Sequence, residues 1–175
     1  MYPQAYIDYL VHFHGDRDYF ECHEILEEHW KEDEAKKRKR IWVGLIQIAV
    51  SLYHQRRKNN RGAYRMLKSA IFILEQEHED LSKLGLDTDA LFLLLKERLS
   101  SIKKEQPYES LFLPISDQHL LTSCMHRSKQ KNILWWSNSD LTNTFIINRH
   151  TLRDRSDVVA ERQMKLVEKQ NNRLC

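Results

Sequence analysis

Apolar residues recur at helical spacing along most of this chain, and the breaks between them divide it into segments of helix length. Tyr6, Leu10 and Phe13 follow Tyr2-Pro3 and precede Gly15, which predicts a helix over about 3–14. Asp16 or Asp18 then caps a second helix of about 17–33. On a wheel of 100° per residue its Tyr19, Cys22, Leu26 and Trp30 fall in one arc around Phe20, whereas Glu21, Glu24 and Glu28 fall opposite. After a turn near Asp33-Glu34, a stretch of about 36–58 begins basic and becomes apolar on most sides through Trp42, Leu45, Ile46, Ile48, Ala49 and Leu52, the mark of a central helix. Asn59-Asn60 and Gly62 turn the chain again. Ala63, Leu67, Ala70, Ile71 and Leu74 stripe a helix of about 60–84 that Gly85 ends. Asp87 or Thr88 caps another of about 88–105, with Leu91, Leu94, Leu95, Leu99 and Ile102 inward. About five helices joined by short loops predict an all-α antiparallel bundle over residues 1–105.

Beyond Gln106 the texture changes, and residues 106–175 read as a C-terminal extension. Pro107 and Pro114 frame Tyr108, Leu111, Phe112 and Leu113, an extended apolar segment suited to wrapping the bundle. A short helix is expected over about 117–130. Ile133–Trp136 and Phe145–Ile147 are β-prone runs on either side of a polar stretch, the pattern of a small hairpin. A charged helix of about 157–171, capped by Asp154 or Ser156, closes the chain as an arm for docking on another surface. The extension is too apolar for a disordered linker and is expected to pack on the bundle or on a partner.

Composition adds the class. With 41% hydrophobic and 30% charged residues but only 4 Gly and 3 Pro, the chain is a helix-rich globular protein. No basic segment leads into an apolar signal core, and the longest apolar run, Ile41 to Tyr53, is interrupted by Gln47 and Ser51, so neither export by that route nor a membrane span is expected. Cys22, Cys124 and Cys175 form no CxxC pair, which points to free thiols in a cytoplasmic protein. The net charge of +3 conceals blocks: residues 1–35 carry −8, residues 36–70 carry +11, residues 71–119 carry −5 and residues 120–175 carry +5. Blocks of opposite sign suit intramolecular pairing, so the basic block is expected to face the acidic second helix and specific nucleic-acid binding is not expected. The competing surface would be Lys36 to Arg40 with Arg56, Arg57, Lys58 and Arg61.

Two residues of the second helix break its polar-out rule. His23 and Glu27 lie inside the arc bounded by Trp30 and Phe20, one turn apart, so both point toward the core or a pocket in it. In the third helix Gln47 and His54, seven residues apart, share a face. A tight turn makes these helices antiparallel neighbours, which predicts that His23, Glu27, Gln47 and His54 meet between them, with Phe20 and Trp30 as walls.

The run Asp18-Tyr19-Phe20-Glu21-Cys22-His23-Glu24-Ile25-Leu26-Glu27-Glu28-His29-Trp30, followed by Gly44-Leu45-Ile46-Gln47-Ile48-Ala49, His54, Asn59 and Gly62-Ala63, resembles the DUF309 family of small bacterial and archaeal proteins. The motifs span about residues 15–75, and the chain is similar to longer Bacillus-type members whose extension contains Leu152-Arg153-Asp154-Arg155-Ser156. The resemblance implies an all-α fold and brings no established activity. Lys58 departs from it, since the family more often has Gly before Asn59.

Three chemistries compete for the polar site. His23-Glu24-Ile25-Leu26-Glu27 is similar to the HExxH zinc pattern but places Glu27 where the second His belongs, so the zincin match fails. A divalent metal on His23, Glu27 and His54 would need more inward carboxylates than the chain offers. The same residues can also form a buried hydrogen-bond network or a small-molecule or peptide pocket. Cys22 beside His23 gives no activated thiol, because adjacent helical side chains diverge by 100°. The reading that follows is a cytoplasmic helical binding or assembly protein, with a protein partner or a second copy as its target. The alternative is a metal-dependent enzyme, a hydrolase, working at that site.

Overall fold

In the computed structural model the described residues are 1–152 and 156–171, with side chains over 1–152 and 159–167. The side chains of Asp154 and Ser156, on which the expected cap rests, lie outside them, as does Cys175. The described residues form ten helices and no strand, in the order α1 Gln4–His14, α2 Tyr19–Glu32, α3 Arg40–Arg56, α4 Asn60–Gln76, α5 His78–Ser82, α6 Thr88–Lys103, α7 Gln118–Gln130, α8 Thr144–Ile147, α9 Arg149–Leu152 and α10 Ser156–Asn171.

One local device starts five of these helices. A short carboxylate or carboxamide at the N-cap accepts an otherwise orphaned backbone N–H: Asp18 from Glu21, Asn59 from Gly62, Asp87 from Ala90, Asp117 from Leu120 and Asn143 from Ile146. α3 has no side-chain cap, and it begins at Arg40 rather than near 36. Lys36 to Lys39 carry positive charge, which the positive end of a helix dipole disfavours, and they remain in turn and loop. The segment expected as one helix over 60–84 is broken at Glu77, with α5 as a separate turn.

Apolar faces then assemble the bundle. α3 packs most extensively on α4 and next on α2, α1 lies against α2 and α7, and α6 lies against α4. Tyr6, Tyr9, Leu26, Leu45, Ile48, Leu52, Leu67, Leu74, Leu91 and Leu95 are fully buried in the shared core. Gly44 sets the α3–α4 distance, because a Cβ there would lie 2.6 Å from Leu74 Cδ2. Buried hydroxyls fix the register: Tyr9 Oη donates to Leu45 O at 2.9 Å, Tyr6 Oη to Leu84 O at 3.1 Å and Ser51 Oγ to Ala63 O at 2.7 Å.

From Pro107 on, the chain enters the same core. Leu111, Leu113, Leu120 and Cys124 are buried with the helices before them. The hairpin over Ile133–Trp136 and Phe145–Ile147 does not form. Asn132 and Trp136 take left-handed φ values of 55° and 63°, which interrupts the first run, and the Asn143 cap coils the second into α8. Extended pairing among the described residues is limited to a single antiparallel bridge between Leu86 and Ile115.

At the α3–α4 turn Lys58 adopts φ 61°, with Asn59 N–H closing back to His54 O at 2.9 Å. This left-handed residue sits where the resembling family more often has Gly, so a side chain is carried in a conformation that disfavours one. Lys58→Gly should therefore raise stability by about 1 kcal/mol in urea unfolding at unchanged m-value. A loss of stability would show that the Lys58 side chain contributes more than its backbone costs.

Candidate functional site

α2 and α3 run antiparallel with the first turn of α2 beside the last turn of α3, and α9 lies across both ends. Their side chains line an open cavity of about 220 Å³, formed by Tyr19, Phe20, His23, Val50, Tyr53, His54, Arg57 and His150. Tyr53 Oη accepts the backbone N–H of His150 at 3.1 Å and shares a hydrogen bond with its Nδ1 at 2.5 Å, with the two rings edge to face. Arg57 rests on the Tyr53 ring and donates through Nε to Asn148 Oδ1 at 3.3 Å. His54 Nδ1 accepts from Asn59 Nδ2 at 3.1 Å, which ties the cavity to the cap of α4. Burial lowers the basicity of His54, and the positive charges of Arg57, His150 and Arg65 lower it further.

Of the residues expected to converge, His23, His54 and Phe20 line this cavity, and Glu27, Gln47 and Trp30 do not. Helix rise explains the division. Gln47 precedes His54 by seven residues, about 10 Å along α3, and Trp30 follows Phe20 by ten, about 15 Å along α2, so neither can reach the end where His23 and His54 meet. Gln47 instead buries an Oε1 that has no hydrogen-bond partner. Trp30 faces the guanidinium of Arg38 at 4.7 Å. Glu27 holds His23 Nε2 at 3.0 Å and Lys31 Nζ at 2.7 Å, and Glu24 holds His23 Nδ1 at 3.0 Å.

These acids also define the metal question. His23, Glu24 and Glu27 place one ligand atom each within 4.8 Å of one another, and His54 stands outside that group. The set is partly exposed, with side-chain accessibilities of 28%, 35% and 32%, so its ion pairs contribute little to stability. Thiol chemistry has no support: burial raises the Cys22 thiol well above its ordinary range and that of Cys124 to about 12.

The basic block behaves differently from expectation. Its ion pairs run from Lys37 to Glu34 and from Lys39 to Asp80, while Asp18 and Glu21 of the α2 start are taken by Arg149. The reason is position, since Lys36 to Lys39 precede α3 and do not lie along the acidic face of α2. Arg56, named above as a surface cation, is buried. Its Nη1 donates to Arg17 O at 2.8 Å and to Ser139 Oγ at 3.0 Å, and its guanidinium stacks over Tyr19.

Arg17 is the residue that sequence reasoning missed most completely. It has no accessible surface and takes φ 58° between α1 and α2. Its Nη1 donates to Leu111 O at 2.5 Å, its Nε to Ser137 O at 2.7 Å, and its guanidinium lies over Phe112. Next to it the buried His14 ring stacks on Trp136 at 4.7 Å with both nitrogens unbonded. Arg149 spans from Asp18 and Glu21 to the faces of Phe20 and Phe145, which sets α9 over the cavity. A signal existed for Arg56, which shares the buried arc of Ala49 and Leu52 in α3. Arg17 and Arg149 bond across more than ninety residues, and no local pattern marks them.

The family described as "Domain of unknown function (DUF309)" matches residues 6–66, which contain most of α1, all of α2 and α3, and the start of α4. The chain is 50% identical over 173 residues to "Uncharacterized protein YpuF" of Bacillus subtilis (strain 168), covering 99% of each. It belongs to the DUF309 family. No solved structure matches it.

His14 gives this region a pH signature. Burial, then the charge of Arg17, depress its pKa to about 3, so the folded protein holds a neutral ring that the unfolded chain protonates below about pH 6.5. The unfolded state then binds more protons, and the contribution of His14 to stability is full above about pH 6.5 and is lost as pH falls toward 3. In His14→Phe the slope of stability between about pH 6 and pH 4 should be shallower than in the wild type, measured by urea unfolding. Equal slopes would contradict a neutral buried His14.

Proposed function

We propose that this protein is a cytoplasmic binding or assembly protein whose ligand seat is the cavity between α2, α3 and α9. The observation that carries the reading is the convergence of His23, Tyr53, His54, Arg57 and His150 from three elements on one cavity with an apolar wall of Phe20 and Val50. At about 220 Å³ the seat is smaller than drug-sized pockets, which begin at roughly 300 Å³, and suits a small molecule or one side chain of a partner. The assembly half of the reading draws on α10, where Val159, Met164, Leu166 and Val167 expose their apolar surface. Specific nucleic-acid binding is not part of it, because Arg56 is buried and Lys37 and Lys39 are engaged by acids. No helix among the described residues is long and apolar enough to cross a membrane.

A metal-dependent hydrolase is the second reading, and the His23, Glu24 and Glu27 grouping favours it. The two separate on one preparation, purified without chelator and without a nickel tag. The binding reading predicts substoichiometric metal, together with saturable shifts at the amides of Phe20, His23, Tyr53 and His54 in an NMR screen of small fragments. Stoichiometric metal that disappears in Glu27→Ala would replace it with the hydrolase.

A further inference from the structure

Two polar side chains of the cavity wall keep donors for a ligand, Arg57 through its guanidinium and His54 through the ring nitrogen that is not bonded to Asn59. Both nitrogens of His23 are taken by Glu24 and Glu27, the Tyr19 hydroxyl by Tyr108 and the Tyr53 hydroxyl by His150, and no carboxylate is among the lining residues. The nearest acids are used elsewhere: Glu24 and Glu27 hold the nitrogens of His23, and Asp18 and Glu21 hold Arg149. Positive charge gathers on the α3 and α4 side, since Arg57 and Arg65 both act on His54 and the block 36–70 contains no acid. A metal cation entering here would meet Arg57 at the wall. An anion would meet the donors of Arg57 and His54.

Resting on the ligand-seat reading above, we infer that the α2–α3–α9 cavity is an anion seat for a small tetrahedral oxyanion, either a free ion or the terminal group of a small phosphate monoester. The guanidinium of Arg57, with Nε already committed to Asn148, turns its remaining N–H groups to the ligand, the bidentate arrangement that oxyanions favour. The Tyr53 hydroxyl is held by His150 and the His54 ring by Asn59, so both are positioned before a ligand arrives. The small volume and the Phe20 and Val50 wall leave room for one such group and a short organic substituent.

The experiment titrates the full chain with sodium sulfate, inorganic phosphate, phenyl phosphate and uncharged tert-butanol, at ionic strength held constant with chloride, and reads backbone amide shifts. Sulfate and phosphate should shift the amides of His23, Tyr53, His54 and Arg57 saturably. Arg57→Gln should weaken sulfate about tenfold or more, and Arg57→Lys less, which keeps the test decisive if the first variant folds poorly. An anion favours the protonated ring, and burial with neighbouring positive charge holds His54 below its ordinary basicity, so sulfate should bind more tightly as pH falls below about 6.5, and His54→Gln should flatten that dependence. The groups facing His54 are His23 from α2, Tyr53 and Arg57 at the end of α3, Arg65 from α4 and His150 from α9. Phenyl phosphate alone shifting these amides would keep the anion seat and assign it to a carried phosphate. If tert-butanol shifts them and no anion does, the cavity remains a ligand seat and the anion inference is overturned. If nothing shifts them, both readings fall.

Discussion

A guanidinium group taken out of water must find acceptors for its N–H donors, and in this chain Arg17 finds them for Nε and Nη1, though not for Nη2, on the backbone of a segment about a hundred residues away. Its bonds to Leu111 O and Ser137 O join the turn between α1 and α2 to two points of the later chain, and Arg56 supports that turn from below by donating to Arg17 O. Carbonyl acceptors leave the positive charge without a neutralising carboxylate, a costly arrangement unless the bonds are well made and the group is enclosed. The aromatic faces of Phe112 over Arg17 and Tyr19 over Arg56 supply part of that compensation.

The clamp has a consequence for the cavity. Once the chain near residues 137–139 is held against Arg17 and Arg56, the following α8 and α9 are delivered over the start of α2, where Arg149 engages Asp18 and Glu21. Asp18 therefore serves two ends at once: it caps α2 through Glu21 N–H and anchors α9 through Arg149. His150 is then beside Tyr53, and the cavity gains the wall that α2 and α3 alone cannot give it. A site that spans the bundle and the later segment is incomplete until the two are docked.

How much of this the sequence announced depends on the range of the interaction. Periodicity located the core faces of α1 to α4, because Leu10, Leu26, Leu52 and Leu67 recur at a spacing set by the local helix. Caps were equally legible at Asp18 and Asp87, whose partners lie three residues away. The candidate site was legible in angle and not in depth: His23 and His54 do share a cavity, whereas Gln47 and Trp30 lie about two turns from His54 and His23 along their helices. The run Phe145–Ile147 looked β-prone by side-chain type, yet Asn143 caps it into a helix, since no neighbouring strand offers a ladder. Arg17 and Arg149 were invisible, as a surface cation and a clamp have the same spelling.

The claim on which this account rests is that the Arg17 clamp holds the later chain, and with it the α9 wall, against the bundle. Native-state hydrogen exchange of Arg17→Met, which keeps bulk and removes the donors, tests it most directly. The account predicts that amide protection falls first and most over residues 107–152, including α7 and α9, while α2, α3 and α4 stay protected. Protection that falls evenly over the whole chain, or remains unchanged over 107–152, would contradict it.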